Sequence, residues 1–295
     1  MELRDLTGKV GYIPGPVNIG VIRDGEKAVL VDTGLDKSAG KGIMRVMDEA
    51  DLEVEAIINT HHHADHIGGN AYIKNRTGAE TYAPELEAAL IESPILEPMY
   101  LFSGASPPKD LRNRFLLAKP SKVEHVIRGN CISFDKVNVG VVPLPGHSPN
   151  QIGVAADGVL FCADAVFSMK VVEKYKLPFV QDIKGLKETL NALRGMKYSH
   201  YVPSHSRATE DIRGLAEENL AAIHGIEESI LGILEEPKTT ETVIAELCEA
   251  SDLQIGRAQQ YYLTHTLVMA YLGSMREEEK LDTSFRENLL HWERK

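Results

Sequence analysis

The sequence lacks several features that mark common protein classes. It has only three cysteines, Cys131, Cys162 and Cys248, and their odd number and wide spacing favour a reducing compartment over a disulfide framework. No apolar run approaches the roughly 20 residues that a transmembrane helix needs. The first residues also lack the basic and apolar regions of a signal peptide. We therefore expect a cytoplasmic protein with no membrane partner.

Positive charge is scarce as well. The chain has 32 Lys and Arg against 43 Asp and Glu, a formal net charge of −11. Such a chain as a whole does not attract nucleic acid or an anionic membrane. The apolar share of 43% and the charged share of 25% are those of a globular protein. Its 295 residues suffice for one domain of about 230 residues and a small appendage.

The most unusual stretch is 60–66, which holds four histidines and one aspartate in seven residues and leads into Gly68-Gly69. The apolar run 56–58 before it predicts a buried strand, so the cluster follows a strand end. Imidazole and carboxylate groups are ligands for zinc and related divalent ions. Without a metal, this crowding would bury unpaired polar groups at about 1–3 kcal/mol each. The stretch therefore predicts a metal site.

Further candidates each stand just after a predicted strand: Asp32 after the hairpin of 17–22 and 28–31, His147 after 137–144, Asp164 after the hairpin of 152–156 and 159–161, and His205 after 201–202. A sheet aligns the ends of its strands, so these side chains can converge at one edge. Alternation in an extended segment directs His61 and His63 to one side and His62 to the other. The spacing predicts one site from His61, His63 and a third histidine. Asp65, His66 and another histidine would form a second site, and Asp164 can serve both.

Residues 84–120 differ from the rest because they are rich in proline, which predicts short helices broken by prolines. The segment is a packed helical insertion and can also form the apolar wall of a binding cleft. A long helix at about 207–236 ends before Pro237. These patterns predict a catalytic domain at 1–236.

The tail at 237–295 predicts a small helical domain, with helices at about 240–250, 255–272 and 284–292. It resembles a small winged-helix-like domain. From 235 to 295 we count 7 basic and 12 acidic residues, which argues against a nucleic-acid surface. We expect the tail to cover the apolar side of helix 207–236, to flank the cleft, or to form a homodimer.

These motifs resemble the metallo-β-lactamase-fold hydrolase superfamily, particularly its glyoxalase II-like and ribonuclease-like branches. The run His61-x-His63-x-Asp65-His66 matches the family signature in full. Three further positions match the family's other motifs: His147 within Pro145-Gly146-His147-Ser148, Asp164, and His205. Ala163 and Ser204 depart from the glycines often found there. The resemblance covers about residues 10–230 and implies an α+β fold, a four-layer αββα sandwich with the metals at one edge.

The resemblance also implies a role for each matched residue. Site one would comprise His61, His63 and His147, and site two would comprise Asp65, His66 and His205. Asp164 would bridge two divalent metal ions per chain, zinc first, with iron or manganese as alternatives. Asp32 would support the metal ligands without binding a metal ion itself. Two such ions lower the pKa of a shared water toward about 7, and Asp65 would orient the resulting nucleophile or accept its proton.

The remaining candidates receive ordinary interpretations. Ser148 and Ser204 are expected in turns, and Cys162 in the core, with a redox or metal-tuning role left open. His62 is expected to point away from the site. The other histidines lack ligand spacing and are expected at the surface or in satisfied core positions: His125, His200, His224, His265 and His291.

Three functions fit these observations. The first is a dinuclear hydrolase of a small-molecule thioester, lactone or related ester. The second is a phosphodiesterase or ribonuclease, which needs a basic strip near the cleft, with Lys109, Arg112, Arg114 and Lys119 as candidates. The third is an iron-dependent, persulfide dioxygenase-like oxidoreductase using His61, His147 and Asp164, which the complete second ligand set disfavours. The acidic balance disfavours nucleic acid, and the missing export signal disfavours β-lactam cleavage.

Overall fold

Two β-sheets lie face to face and carry helices on their outer sides, in a computed structural model that describes residues 1–295. The first sheet has seven strands in chain order: β1 Arg4–Asp5, β2 Val10–Ile13, β3 Ile19–Asp24, β4 Lys27–Val31, β5 Glu53–Ile58, β6 Glu80–Pro84 and β7 His125–Ile127. The second sheet has five strands in the order β12-β11-β10-β9-β8: β8 Cys131–Ser133, β9 Asn138–Pro143, β10 Ile152–Ala156, β11 Val159–Ala163 and β12 His200–Pro203.

Helices fill most of the connections. They are α1 Lys37–Glu49, α2 Ala64–Ile67, α3 Asn70–Thr77, α4 Glu85–Glu92, α5 Leu96–Leu101, α6 Met169–Tyr175, α7 Ile183–Gly195, α8 Arg213–Ile233, α9 Thr240–Ala250 and α10 Ala258–Glu277. A single 3₁₀ turn covers Lys109–Leu111. None of the helices combines the length and the apolar character needed to cross a membrane.

Three apolar cores separate the layers. Between the sheets, Ile22 and Ile58 of the first sheet pack with Val154 and Phe161 of the second. Outside the first sheet, α1 and α3 cover its other face in a second core. Helices α7 and α8 cover the outer face of the second sheet and form the third core with it. Burial on both faces explains why strands such as β11 are apolar throughout. The predicted αββα sandwich is confirmed.

The strand directions bring the candidate residues to one edge. Strands β4, β5 and β6 are parallel neighbours, and β11 and β12 form a parallel pair in the other sheet. Asp32 and the 60–66 stretch directly follow β4 and β5, while Asp164 and His205 follow β11 and β12. One rim of the sandwich therefore collects side chains from both sheets.

The terminal helix predicted at 284–292 is wrong. Residues Leu281–Arg286 and Leu289–Arg294 form an antiparallel hairpin, β14 and β15, and Lys238–Thr239 adds a short strand, β13, beside β15. The turn residues Glu287 and Asn288 both have positive φ, the geometry of a tight hairpin turn. The tail thus contains two helices and a three-stranded sheet rather than helices alone.

Other boundaries differ from the predictions as well. The long helix α8 begins at Arg213, so 207–212 is not helical. Strand β7 pairs with β6 at the edge of the first sheet. The apolar core around α7 and α8 continues into the tail through Tyr271, Leu281 and Trp292. The tail covers α8, and the division at 236/237 stays a prediction.

Candidate metal centre

The candidate ligands meet at the rim of the sandwich. Ligand-forming atoms lie within 4.8 Å of one another in three overlapping sets: His61 with His63 and His147, Asp65 with His66 and His205, and His61 with His66 and Asp164. All seven predicted ligands are therefore together, although they come from four separate stretches of the chain. The two triplets are the ones that the family resemblance implied, and the third set joins them through Asp164.

Four of the five histidine rings are oriented through Nδ1, which in each case lies next to an oxygen: His61 to Thr60 Oγ1 at 3.1 Å, His66 to Asp32 Oδ2 at 2.8 Å, His147 to the Phe179 carbonyl at 2.9 Å, and His205 to the Pro16 carbonyl at 2.8 Å. An oxygen at one ring nitrogen fixes the ring and leaves the other nitrogen free as a ligand. This is the arrangement found around metal-binding histidines.

Several buried polar atoms of the candidate ligands make no hydrogen bond, and His63 faces His147 through Nδ1, 2.8 Å from His147 Nε2. The Nε2 atoms of His61, His63 and His66 and Oδ1 of Asp164 are buried without a hydrogen bond. Each unsatisfied buried polar atom costs about 1–3 kcal/mol, and four in one place are unusual. A cation would satisfy nitrogen lone pairs and a carboxylate oxygen together. The donor set, imidazole with carboxylate, fits a divalent metal such as zinc.

Asp164 lies at the middle of the group. Its carboxylate oxygens are 3.4 Å from His66 Nε2, 3.5 Å from His147 Nε2 and 3.1 Å from His205 Nε2. Burial by itself would lower the pKa of His205, but the Asp164 carboxylate raises it to about 9. Burial opposes ionisation of Asp164 too, yet His205 and His66 hold its pKa well below the usual value. The carboxylate is the charge around which the imidazoles gather.

Burial sets the charge state of the other rings. It lowers the pKa of His61 and His63 well below the usual value and also lowers the pKa of His147. For His66 burial is outweighed by Asp164 and Asp32, which raise its pKa. The neutral imidazole is the form that binds a metal, so burial prepares the site-one histidines as ligands.

Asp32 supports the centre without joining the ligand sets. Besides its contact with His66, its carboxylate accepts hydrogen bonds from the Thr60 backbone N–H at 2.9 Å and the Thr60 hydroxyl at 2.7 Å. The loop after β4 also packs closely on the helix that follows the cluster. A Cβ at Gly68 would lie 1.8 Å from the Leu35 carbonyl oxygen, so only glycine fits there. The two loops are thereby held as one unit.

The predicted departure at Ala163 has a structural consequence. Ala163 has φ of +49°, a conformation that glycine adopts freely and alanine does not. The strained residue turns the chain at the end of β11 and precedes Asp164. Backbone strain of this kind is concentrated at functional sites, where the surrounding structure holds it.

A large groove opens at this rim, with a volume of about 2150 Å³. Asp65, His147 and His205 form its floor, and α6, the start of α10 and the loop at 14–17 form its sides. Phe115 is the only residue of the 84–120 insertion that lines it. The predicted basic candidates Lys109, Arg112, Arg114 and Lys119 do not line the groove. Other basic residues do: Arg4, Lys170, Lys174, Arg207 and Arg257.

Sequence reasoning missed several polar residues behind the centre, because no local pattern marks them. Glu87 and Glu97 of α4 and α5 are buried, and Tyr100 and Gln181 contact each other at 2.7 Å. One Glu97 oxygen lies within 4.8 Å of ring nitrogens of His62 and His63. Burial, with Asp65 and Glu87 nearby, raises the Glu97 pKa well above its usual value.

Of the residues given ordinary interpretations, His62 alone belongs to a set of ligand-forming atoms, with His63 and Glu97. Ser148 donates to Glu87, and Ser204 is buried beside β12. Burial raises the pKa of the Cys162 thiol to about 12, which leaves no reactive thiolate. His62 contacts Glu87 and Tyr100. The other histidines belong to none of the sets: His125, His200, His224, His265 and His291.

An αββα sandwich with histidines and aspartates gathered at one rim defines a metallo-β-lactamase-fold protein. The sequence model described as the metallo-beta-lactamase superfamily matches residues 12–205. The chain therefore belongs to the metallo-beta-lactamase superfamily.

Individual relatives support this placement. A hydroxyacylglutathione hydrolase of Vibrio cholerae serotype O1 is 29% identical over 134 residues, 45% of this chain and 42% of that protein. One of Xanthomonas axonopodis pv. citri is 31% identical over 149 residues, 50% of this chain and 45% of that protein. The chain thus spans less than half the length of these curated relatives.

Solved structures extend the likeness to the tail. A metallo-beta-lactamase family protein from Thermus thermophilus superposes with a TM-score of 0.76 at 21% identity, over 99% of this chain and 100% of that one. A beta-lactamase domain protein from Burkholderia ambifaria gives 0.76 at 16% identity, over 99% and 93%. At these identities the likeness shows the fold.

Proposed function

We propose that the protein is a metal-dependent hydrolase that holds two divalent ions, zinc first, and cleaves a small ester or thioester. The observation that carries this proposal is the convergence of seven ligand-forming side chains with buried, unpartnered atoms at the rim. His61, His63 and His147 would hold one ion, and Asp65, His66 and His205 the other, with Asp164 between them. Bound as a pair, such ions generate hydroxide at neutral pH and polarise a carbonyl oxygen.

The chain's own residues have distinct roles in this reaction. Asp65 is the most accessible ligand candidate, with 38% of its side chain exposed at the groove floor, so it can take a proton from water or orient it. Asp32 holds the His66 ring, and the Phe179 carbonyl holds His147. A side-chain nucleophile is not needed. Cys162 is buried with a raised pKa, and the Ser148 hydroxyl is engaged by Glu87.

The groove supports a substrate with both an apolar and an anionic part. Aromatic side chains border the floor, with the Phe167 ring 5.6 Å from His147 and Phe179 5.6 Å from His63. Further out, five basic side chains line the groove against two acidic ones, in a protein whose net charge is −11. Hydroxyacylglutathione, from which the relatives take their name, is an acylated thiol, and this supports a thioester with an anionic thiol portion.

A phosphodiesterase is the second candidate, and the same basic lining favours it. The groove residues Lys170, Lys174 and Arg257 could contact phosphate groups, although the four basic residues predicted for that role lie elsewhere. The two candidates share one metal centre and differ in the bond that is cleaved.

A substrate panel on protein of measured metal content separates the candidates. We expect two ions per chain, loss of turnover when a chelator removes them, and recovery with zinc. An anionic thioester should be cleaved with a lower KM than a neutral thioester of the same acyl group. Replacing Lys170 and Lys174 with alanine should raise only the anionic KM, by about 10-fold.

Three results would contradict the thioesterase proposal. Turnover that persists after the ions are stripped would exclude a metal-dependent reaction. A higher kcat/KM for a bis-phosphodiester than for any thioester, lactone or ester would establish the phosphodiesterase. One iron per chain with oxygen uptake would establish the oxidoreductase.

A further inference from the structure

The 84–120 insertion buries a charged side chain far from solvent. Glu87 of α4 has 0% exposure, and a buried carboxylate is tolerated only where other groups satisfy it. None of its partners is a lysine or an arginine. The groups that satisfy Glu87 belong to the loops that carry the candidate metal ligands.

Glu87 joins two of these loops through four contacts. Its Oε2 accepts a hydrogen bond from the His62 backbone N–H at 3.1 Å and also contacts His62 Nδ1. Its Oε1 accepts from the Ser148 hydroxyl at 2.7 Å and from the Asn150 backbone N–H at 2.9 Å. His62 stands between His61 and His63, and Ser148 follows His147. One carboxylate therefore links the two stretches that supply the first ligand triplet.

A second path closes the network into a ring. His62 Nε2 lies 3.2 Å from the Tyr100 hydroxyl, which accepts a hydrogen bond from the Gln181 side chain at 2.7 Å. The Gln181 backbone N–H donates to the Gly146 carbonyl at 3.1 Å, directly before His147. The loop around His147 is thus held from both sides, by Glu87 after the histidine and by Gln181 before it.

The other triplet has independent supports. His66 is held by Asp32, and His205 by the Pro16 carbonyl, and neither of these contacts involves His62 or Glu87. The ring of contacts thus links the stretches of His61, His63 and His147 and includes no side chain of Asp65, His66 or His205.

We propose that Glu87 and His62 are positioning residues that set the distance between His147 and the His61–His63 pair, so that they control the affinity of the first metal ion and not of the second. The pair acts from outside the first triplet: His62 directs Nδ1 to Glu87 and Nε2 to the Tyr100 hydroxyl. Groups that orient metal ligands in this way change metal affinity by about 10–100-fold when they are replaced. This inference rests on the dinuclear centre proposed above.

The test is a chelator titration of the zinc-loaded full-length protein, with metal per chain measured by elemental analysis and the cobalt(II)-substituted protein followed by its visible spectrum. In Glu87→Gln one carboxylate oxygen becomes an NH2 donor, so the side chain keeps its shape but cannot accept from both His62 and the Ser148–Asn150 pair. We expect the first ion to dissociate at about 10–100-fold lower chelator strength than in wild type, while the second is retained. The cobalt spectrum should lose the component of one ion only.

Two further variants guard against a general loss of folding. Glu85→Gln changes an exposed carboxylate on the same helix, which contacts Arg128 at the surface, and should bind both ions as wild type does. Tyr100→Phe removes only the hydroxyl that His62 and Gln181 share, and should weaken the first ion by less than Glu87→Gln. Equal weakening of both ions, or no weakening, in Glu87→Gln would overturn the inference while leaving the dinuclear centre intact. Wild-type protein that binds no ion would overturn both.

Discussion

Two regions of the molecule accommodate charge in opposite ways. At the junction of α7, α8 and the tail, four charged side chains satisfy one another. Lys187 Nζ lies 2.7 Å from Glu227, and Lys280 Nζ lies 2.6 Å from Glu278 and 3.5 Å from Glu227. At the rim, by contrast, three imidazole nitrogens and one carboxylate oxygen make no hydrogen bond, and the nearest charge to His66 Nε2 among them is Asp164 Oδ1 at 3.4 Å.

The difference separates stability from function. Charges that find partners within the chain need nothing further, and their removal affects folding. Polar atoms that the chain buries and leaves unpaired indicate a ligand from outside it, because their desolvation is otherwise uncompensated. The rim also contains backbone strain at Asp32 and Ala163, both with positive φ. The comparison therefore predicts that changes at the rim alter chemistry and changes at the junction alter stability.

The largest effect is expected from Asp65→Asn at the groove floor. If the Asp65 carboxylate accepts a proton or orients water in the reaction, the amide of Asp65→Asn should lower kcat by about 10²–10⁴-fold. Steady-state kinetics on protein of measured metal content tests this. Asp36→Asn is the matched control: Asp36 lines the same groove, and asparagine can still cap α1 in place of the carboxylate that accepts from Ser38 and Ala39. Equal losses in both variants would contradict a special role for Asp65.

At the junction, Glu227→Ala should destabilise the fold without changing the chemistry. It would remove the partner of Lys187 on α8 but leave Glu278 beside it, so we expect a loss of about 1–3 kcal/mol, the cost of a lost hydrogen bond to a charged group. Urea unfolding gives the free energy, and kcat per folded molecule should stay at the wild-type value. Glu228→Ala, at an exposed position of the same helix, should stay within about 0.5 kcal/mol of wild type.

The free energy of unfolding that Glu227→Ala loses should depend on pH in one direction. Burial alone would raise the pKa of Glu227, but hydrogen bonds from Lys187 and His224 and the charge of Lys280 lower it below the usual value of 4.5. A depressed pKa stabilises the fold above 4.5 and ceases to do so as the pH falls through the folded-state pKa. The difference in the free energy of unfolding between wild type and Glu227→Ala should therefore become smaller as the pH falls below 4.5. A gap that widens below pH 4.5 would contradict the assignment.

The sequence predicts the rim better than it predicts the contacts behind it. The rim was predictable because each ligand candidate follows a strand end and because 60–66 matches a specific signature. The runs at 17–22 and 28–31 also predict the hairpin of β3 and β4. The αββα layers followed from the family resemblance.

What was missed depends on contacts distant in sequence. Glu87 looks like any acidic residue of a helix until Ser148, 61 positions away, is placed against it. The tail hairpin was missed because its turn at Glu287-Asn288 depends on positive φ values that those residue types do not specify. The basic groove lining assembles from four separate stretches, so no local charge run marked it.

The smallest predicted effect tests whether the rim stores strain. Ala163 has φ of +49°, where a non-glycine residue costs about 1–2 kcal/mol. Ala163→Gly would remove that cost, while the greater freedom of glycine in the unfolded chain opposes it by about 0.4–1 kcal/mol, so we expect a net stabilisation of up to about 1.5 kcal/mol. Urea unfolding of metal-free protein measures it without a contribution from bound ions.

Ala165→Gly, two residues further along the same loop, should change the stability of the protein in the opposite direction. Ala165 is buried and lies outside the positive-φ region, so glycine there adds flexibility and removes a packed methyl group. It should destabilise the protein by about 0.5–1 kcal/mol or more. Strain at the rim predicts a rise in stability for Ala163→Gly and a fall for Ala165→Gly. If both variants lose stability to a similar degree, the loop before Asp164 is relaxed, and the contrast between rim and junction rests on the unpaired polar atoms alone.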